Sequence, residues 1–185
     1  MVTWRRGRRA VWDKLYAHAL PIGGFLDRLD PALIRVQGTA VYMTGDPEVV
    51  PMALLHNIKH NQVLHEQVVL MTVRTRDIPY IPEAQRIEVA ALGKGFHRVA
   101  VSYGFLDQPD VPQALALCRA RDLQADPMRT SFFLGRETLI PTPSPPLGPV
   151  EGRVFTWLSS GNLSATTYFR IPAERVVELG TQIEV

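Results

Sequence analysis

Three histidines, one cysteine and a few basic loops are the residues whose types and spacing invite chemistry. His56 and His60 are four positions apart, so on a helix they share a face one turn from each other. Such a pair can hold a metal, but the zinc-protease helix also needs a Glu directly after the first His, and Asn57 stands there. A third ligand would require His65 or Glu66 to fold back, so a polar helix face is the simpler reading and no metal site is expected. Cys118 sits among Ala114, Leu115 and Leu117, the setting of a small buried apolar residue rather than an activated thiolate. Gly93-Lys94-Gly95 resembles a piece of a phosphate loop but joins two strand-like segments, which makes it a hairpin turn. Gly135-Arg136-Glu137-Thr138 follows an apolar run. Its Arg and backbone N–H groups could meet an anion, or it could be a salt-bridged turn. No Ser-His-Asp ordering and no paired carboxylates stand out. Catalysis and a cofactor are therefore not expected.

The elements that must position these residues alternate along the chain. Residues 8–20 carry apolar positions at Val11, Leu15, Ala19 and Leu20, a short amphipathic helix ended by Pro21 and Gly23-Gly24. Phe25 to Ile34 reads as turn-like. Thr39 to Thr44 is a compact buried strand, and Pro51 opens a helix with Leu54, Leu55 and Ile58 on one face. Glu66 to Thr75 is an apolar run expected to be buried on both faces in the middle of a sheet. Arg86 to Val89 and Phe96 to Tyr103 alternate with period two and predict an antiparallel hairpin. Pro112 to Arg121 predicts a helix capped by Asp110. Thr130 to Leu134 predicts a strand closed by Gly135, and 139–150 a proline-rich connector. A helix over 153–169 and a last strand over 175–180 complete the reading. The expected fold is α/β: a mixed, mostly parallel sheet flanked by helices, with one antiparallel hairpin.

Composition narrows the function classes. The chain has 185 residues, 46 % of them hydrophobic and 21 % charged, which is ordinary for one folded domain. A single cysteine excludes an internal disulfide and argues against a cysteine-based zinc site. A net charge of +2 gives no global field for nucleic-acid binding. No stretch approaches the ~20 apolar residues of a membrane-spanning helix.

The amino terminus departs from that average. Trp4, Arg5, Arg6, Arg8 and Arg9 form a basic, aromatic cluster followed by Trp12, Lys14 and Tyr16. No apolar stretch follows to make a signal peptide. A nucleic-acid arm and a solvated helix face are further readings. The favoured one is a segment just cytoplasmic of a membrane helix, with Arg against anionic lipid headgroups and Trp at headgroup depth.

Several segments in order resemble one family: Arg35 to Thr44, Pro51 to Glu66, Val69 to Thr75, Tyr103-Gly104-Phe105, Asp110-Val111-Pro112, Ser131 to Thr138, Arg170-Ile171-Pro172 and Val176 to Gly180. Together they resemble the C-terminal cytosolic domain of the Kup-type bacterial low-affinity potassium uptake permeases (the Kup/HAK/KT family). Gln37 departs from the pattern, where Pro would be expected before Gly38.

The resemblance implies about a dozen membrane helices ahead of this domain, potassium uptake together with protons, and a place on the cytoplasmic side of the cell membrane. It puts no transport-site residue on this chain. Residues 1–34 are then a juxtamembrane basic segment with a short helix, and 35–185 one cytosolic α/β domain. The expected partners are its own N-terminal transmembrane domain, lipid headgroups and a second copy in a homodimer. Two roles are open: a structural and regulatory module, or a sensor of a nucleotide such as cyclic di-AMP or an adenine nucleotide. For an anion, Thr44-Gly45, Lys59, His60, Ser131 and Arg136 are the residues expected to contribute. A free-standing enzyme is the third and least favoured reading.

Overall fold

Apolar side chains at alternate positions of β-strands face opposite ways, so an unbroken apolar run needs cover on both sides. This chain provides it. The computed structural model describes residues 20–121, 123–140 and 165–184. In chain order they form α1 (Ile22–Arg28), β1 (Ile34–Met43), α2 (Met52–Asn61), β2 (Val63–Arg76), α3 (Glu83–Arg86), β3 (Ile87–Gly93) and β4 (Phe96–Gly104). Then come α4 (Val111–Leu117), β5 (Thr130–Ile140), α5 (Ala165–Tyr168) and β6 (Val176–Glu184).

The strands make one sheet in the order β3-β4-β2-β1-β5-β6. Every neighbouring pair is parallel except β3 with β4. This is the mixed, mostly parallel α/β sheet with one antiparallel hairpin that the sequence predicts. β2 lies between β4 and β1, and Val68 to Thr72 are buried throughout, as its apolar run requires.

Two cores sit on the two faces. Ala40, Tyr42, Val68, Leu70 and Phe96 meet Ile22, Phe25 and Leu26 of α1 and Ala53 and Leu54 of α2. Val41, Val69, Met71, Val99 and Val101 meet Val111, Ala114 and Leu115 of α4, with Cys118. The alternation along β1 and β2 thus becomes a helix–sheet–helix sandwich.

Three expectations are corrected. Gly23-Gly24 are not a terminating pair: α1 runs through both glycines, with Pro21 at its N-cap. Ile22, Phe25 and Leu26 are spaced for one helix face and are buried, and their packing overrides a glycine penalty of about 1 kcal/mol each. Gly135 does not close the strand it follows. β5 continues to Ile140 because β6 pairs with it from Phe132↔Val176 to Ile140↔Glu184, so Arg136 lies within a strand rather than in a turn. The helix from Pro112 is α4, shorter than expected; it starts at Val111 and tightens into a 3-10 turn over Cys118–Arg121. Of the expected helices over 8–20 and 153–169, only Leu20 and α5 onward fall within the described residues, and the Trp4 to Arg9 cluster lies outside them.

Candidate functional site

In an open parallel sheet the crevice beyond the carboxyl ends of the strands is the natural binding place, at the point where successive connections leave to opposite faces. β1 and β5 are neighbours that meet this condition. The connection after β1 leads into α2 on one face, and the connection after β5 returns through Ile171 on the other. β1 also stops early. Thr44 N–H donates to Met71 O at 2.9 Å, while β2 runs on to Arg76 and β5 to Ile140. The sheet is therefore notched at the carboxyl end of its central strand, with the Thr44–Val50 loop as the floor.

That loop is internally satisfied. Thr44 Oγ1 donates to Asp46 O at 2.8 Å and accepts from Asp46 N–H at 3.2 Å, and Asp46 Oδ1 accepts from Glu48 N–H at 2.9 Å. Ile22 N–H donates to Glu48 O, and Val50 N–H to Leu20 O. Leu20 and Ile22 are therefore held at this same carboxyl edge. Arg98 on β4 closes the far side with an ion pair to Glu48 at 2.7 Å.

A second polar cluster sits where β4 ends. Asp107 Oδ2 accepts from Gly104 N–H at 2.7 Å and from Ile81 N–H at 3.0 Å, and Oδ1 lies 3.3 Å from Arg86 Nη2. The two backbone donors, then Arg86, hold the Asp107 carboxyl below the usual carboxylate range. The Arg86 guanidinium lies 4.9 Å from the centroid of the Tyr103 ring, a cation–π distance. Tyr103 OH donates to Asp110 O at 2.8 Å and accepts from Asp110 N–H at 3.1 Å. Asp110 also caps α4, accepting from Gln113 N–H at 2.8 Å, as its sequence position predicts. Each of these groups holds backbone in place. Of these residues the sequence pattern points only to Asp110; the Gly104-x-x-Asp107 spacing is the signal for the rest, because the Asp107 carboxylate can accept from the N–H three residues before it.

The expected anion ligands are not brought together. Lys59 and His60 are exposed on the last turn of α2, which ends at the amino edge of the sheet, opposite the Thr44-Gly45 floor. Ser131 is half-buried near the start of β5, opposite Ala40. Arg136 is paired with Gly180 on β6, past the level where β1 ends.

The other chemistry-bearing groups are structural. His56 and His60 rings meet edge to face at 5.8 Å, whereas His65 packs against Phe133 at 5.9 Å. Among the described residues no three His, Cys, Asp or Glu side chains group to hold a metal. Cys118 is fully buried, its Sγ 3.3 Å from Ala114 O, and burial pushes its thiol up to about 11, far from an activated thiolate. Lys94 is a hairpin-turn residue with φ 51° whose Nζ donates to Leu26 O at 2.5 Å. It braces α1 against the sheet. Gln37, the odd residue beside Gly38, accepts from Arg129 at 2.5 Å next to the β1 bulge.

The notch at the end of β1 and the Arg86–Asp107 joint at the end of β4 belong to a mostly parallel α/β sheet whose polar side chains at these places hold loop backbone. Residues 37–185 match the family described as the K+ potassium transporter C-terminal domain, and the chain belongs to that family. It is 50 % identical over its whole length to a probable potassium transport system protein Kup of Myxococcus xanthus, of which it covers 28 %. It is 48 % identical to a probable potassium transport system protein Kup 1 of Paramagnetospirillum magneticum, covering 29 % of it, and 45 % identical to such a Kup protein of Acidiphilium cryptum, covering 30 %. The chain thus spans less than a third of the length of these relatives. No solved structure matches it. Among the described residues no helix is long and apolar enough to cross a membrane.

Proposed function

We propose that this chain is the cytoplasmic C-terminal domain of a Kup-type, proton-coupled potassium uptake transporter, and that it biases the conformational equilibrium of the membrane part. The family match over residues 37–185, with relatives that are potassium transport proteins more than three times its length, carries this reading. A domain biases such an equilibrium only by contacting the two states differently, so it needs a rigid body and a surface turned toward its partner. The carboxyl edge is the candidate surface in this reading, and its support is that its loops are tied down by backbone hydrogen bonds. A homodimer and a headgroup contact by Trp4, Arg5, Arg6, Arg8 and Arg9 belong to the same reading.

The test is rubidium uptake by the full-length transporter in cells lacking other potassium uptake, with and without residues 37–185, at matched membrane abundance. A changed maximal rate or half-saturation supports the regulatory role. Identical uptake removes that role, and no uptake by the intact protein removes the transporter reading.

A second reading, a nucleotide sensor, is favoured by one observation: the notch lies at the topological switch between β1 and β5. Thermal shifts with adenine nucleotides, cyclic AMP and cyclic di-AMP test it, because a ligand of the folded state raises the melting temperature by mass action. A flat panel leaves the structural and regulatory module alone.

A further inference from the structure

The carboxyl edge holds an exposed apolar surface that no other described residue covers. Past the end of β1, β2 continues to Arg76 and opens into a loop that packs against the turn after β4. Phe105 N–H donates to Ile78 O at 2.9 Å, and Leu106 N–H to Pro79 O at 3.0 Å. The two loops are zipped so closely that a Cβ on Gly104 would stand 2.3 Å from Pro79 O. Asp107 then pins both loops through Gly104 and Ile81. At the tips of this rigid frame Ile78 is 49 % exposed, Tyr80 64 %, Phe105 57 % and Leu106 55 %. Single exposed apolar residues are normal, but four neighbours on two tied loops form a patch that calls for an occupant.

The charge beside the patch says which one. Arg74 and Arg76 end β2 and are exposed; their backbones pair with Ser102 and Gly104 of β4, while their guanidiniums make no hydrogen bond or ion pair with any described residue. Asp77 follows them, so the strip keeps a positive excess. Aromatic and aliphatic tips that protrude, with free guanidiniums at their base, match the boundary between headgroups and acyl chains, where Tyr and Phe partition and Arg meets phosphate. The patch also lies at the edge where Leu20 joins the domain through Val50.

We propose that the loops carrying Ile78, Tyr80, Phe105 and Leu106, with Arg74 and Arg76, form a membrane-surface docking site for anionic phospholipid. This rests on the reading of the chain as a transporter's C-terminal domain. Docking orients the carboxyl edge, with its notch, toward the bilayer and restricts how the domain rotates beneath it. In sequence it is distinct from the Trp4 to Arg9 cluster.

The test uses the 185-residue chain and lipid vesicles. A polarity-sensitive dye is attached at Leu106→Cys, and buried Cys118, with its thiol pushed up to about 11, stays unlabelled. Vesicles containing phosphatidylglycerol should shift the dye emission to the blue, and phosphatidylcholine vesicles should shift it much less. The combined Ile78→Ser, Phe105→Ser, Leu106→Ser variant should lose vesicle partitioning by about tenfold or more, with an unchanged melting curve. Arg74→Gln with Arg76→Gln should weaken it several-fold, and added salt should narrow the difference.

An unshifted dye overturns the proposal. So does full partitioning of the serine variant when Gln at Arg5, Arg6, Arg8 and Arg9 abolishes binding, because the amino-terminal cluster then acts alone. Self-association that the serine variant removes, without vesicle binding, assigns the patch to a second copy and overturns the lipid site. None of these outcomes bears on the uptake comparison, so failure here and failure of the transporter reading are distinguishable.

Discussion

Arg86 Nη2 reaches Asp107 Oδ1 at 3.3 Å while its guanidinium covers the ring of Tyr103, so one cation ties the α3 turn to the end of β4. Asp107 completes the joint by accepting two backbone N–H groups from different loops. Its carboxyl is held below the ordinary value. The folded state therefore binds this proton less tightly than the unfolded chain, and the stabilisation is fully present above the unfolded pKa of about 4 and lost as pH falls through the folded one. Asp107→Asn should lower the melting temperature by a constant amount between pH 5 and pH 8, and the gap to the parent should close in acid. Melting curves across that range check it. A gap independent of pH down to strong acid would show that charge is not the reason.

Glycines separate two kinds of necessity. Gly104 admits no side chain, because its Cβ would fall 2.3 Å from Pro79 O. Gly104→Ala should cost about 1 to 3 kcal/mol, the range for overpacking. Gly23 is helical and exposed, with nothing within 4 Å of an added Cβ. Gly23→Ala should therefore stabilise by about 0.8 to 1 kcal/mol. Urea unfolding of both variants reads the two signs.

The Gly23 case shows why part of this fold was illegible in the sequence. Two adjacent glycines look like helix breakers by local propensity, and only the burial of Ile22, Phe25 and Leu26 against β1, β2 and β4 carries α1 through them. The same holds for β5, whose run through Gly135 is decided by pairing with β6, a contact that is distant in sequence. Legible elements were those with a strong period or cap: β2, the β3–β4 hairpin, α2 after Pro51, and α4 with Asp110. The candidate site was the least legible. Lys59, His60, Ser131 and Arg136 are chemically reasonable anion ligands, but the run of α2 puts two of them at the amino edge, away from the notch. The patch of Ile78, Tyr80, Phe105 and Leu106 is scattered in sequence and appears only when the two loops zip together.

Two buried tyrosines should answer the loss of a hydroxyl in opposite ways. The Tyr42 OH is buried beside Asn57 and has no hydrogen-bond partner of good geometry among the described residues, and burial pushes its pKa up. Tyr42→Phe removes an unmet polar group and should be neutral or stabilising within about 1 kcal/mol. The Tyr103 OH satisfies both the carbonyl and the N–H of Asp110. Tyr103→Phe should cost about 1 to 2 kcal/mol. Equal losses in the two variants, measured by denaturant unfolding, would contradict this assignment of partners.

Histidine burial sets a second pH dependence, nearer neutrality than that of Asp107. His65 and His97 each bury an Nδ1 that has no hydrogen-bond partner among the described residues, and burial lowers the pKa of both, with the nearby Gly95 backbone opposing the shift in His97. A lowered histidine pKa means the folded state takes up its proton less readily than the unfolded chain. Stability is then fully present above the unfolded value of about 6.5 and declines as pH falls through the folded one. The melting temperature should therefore fall between pH 7.5 and pH 5, before the Asp107 carboxyl begins to protonate. His65→Gln with His97→Gln should flatten that part of the profile while leaving the steeper loss at lower pH. Ring-proton titration by NMR gives the two values directly, and either histidine titrating at or above the ordinary value would remove it as a source of the acid sensitivity.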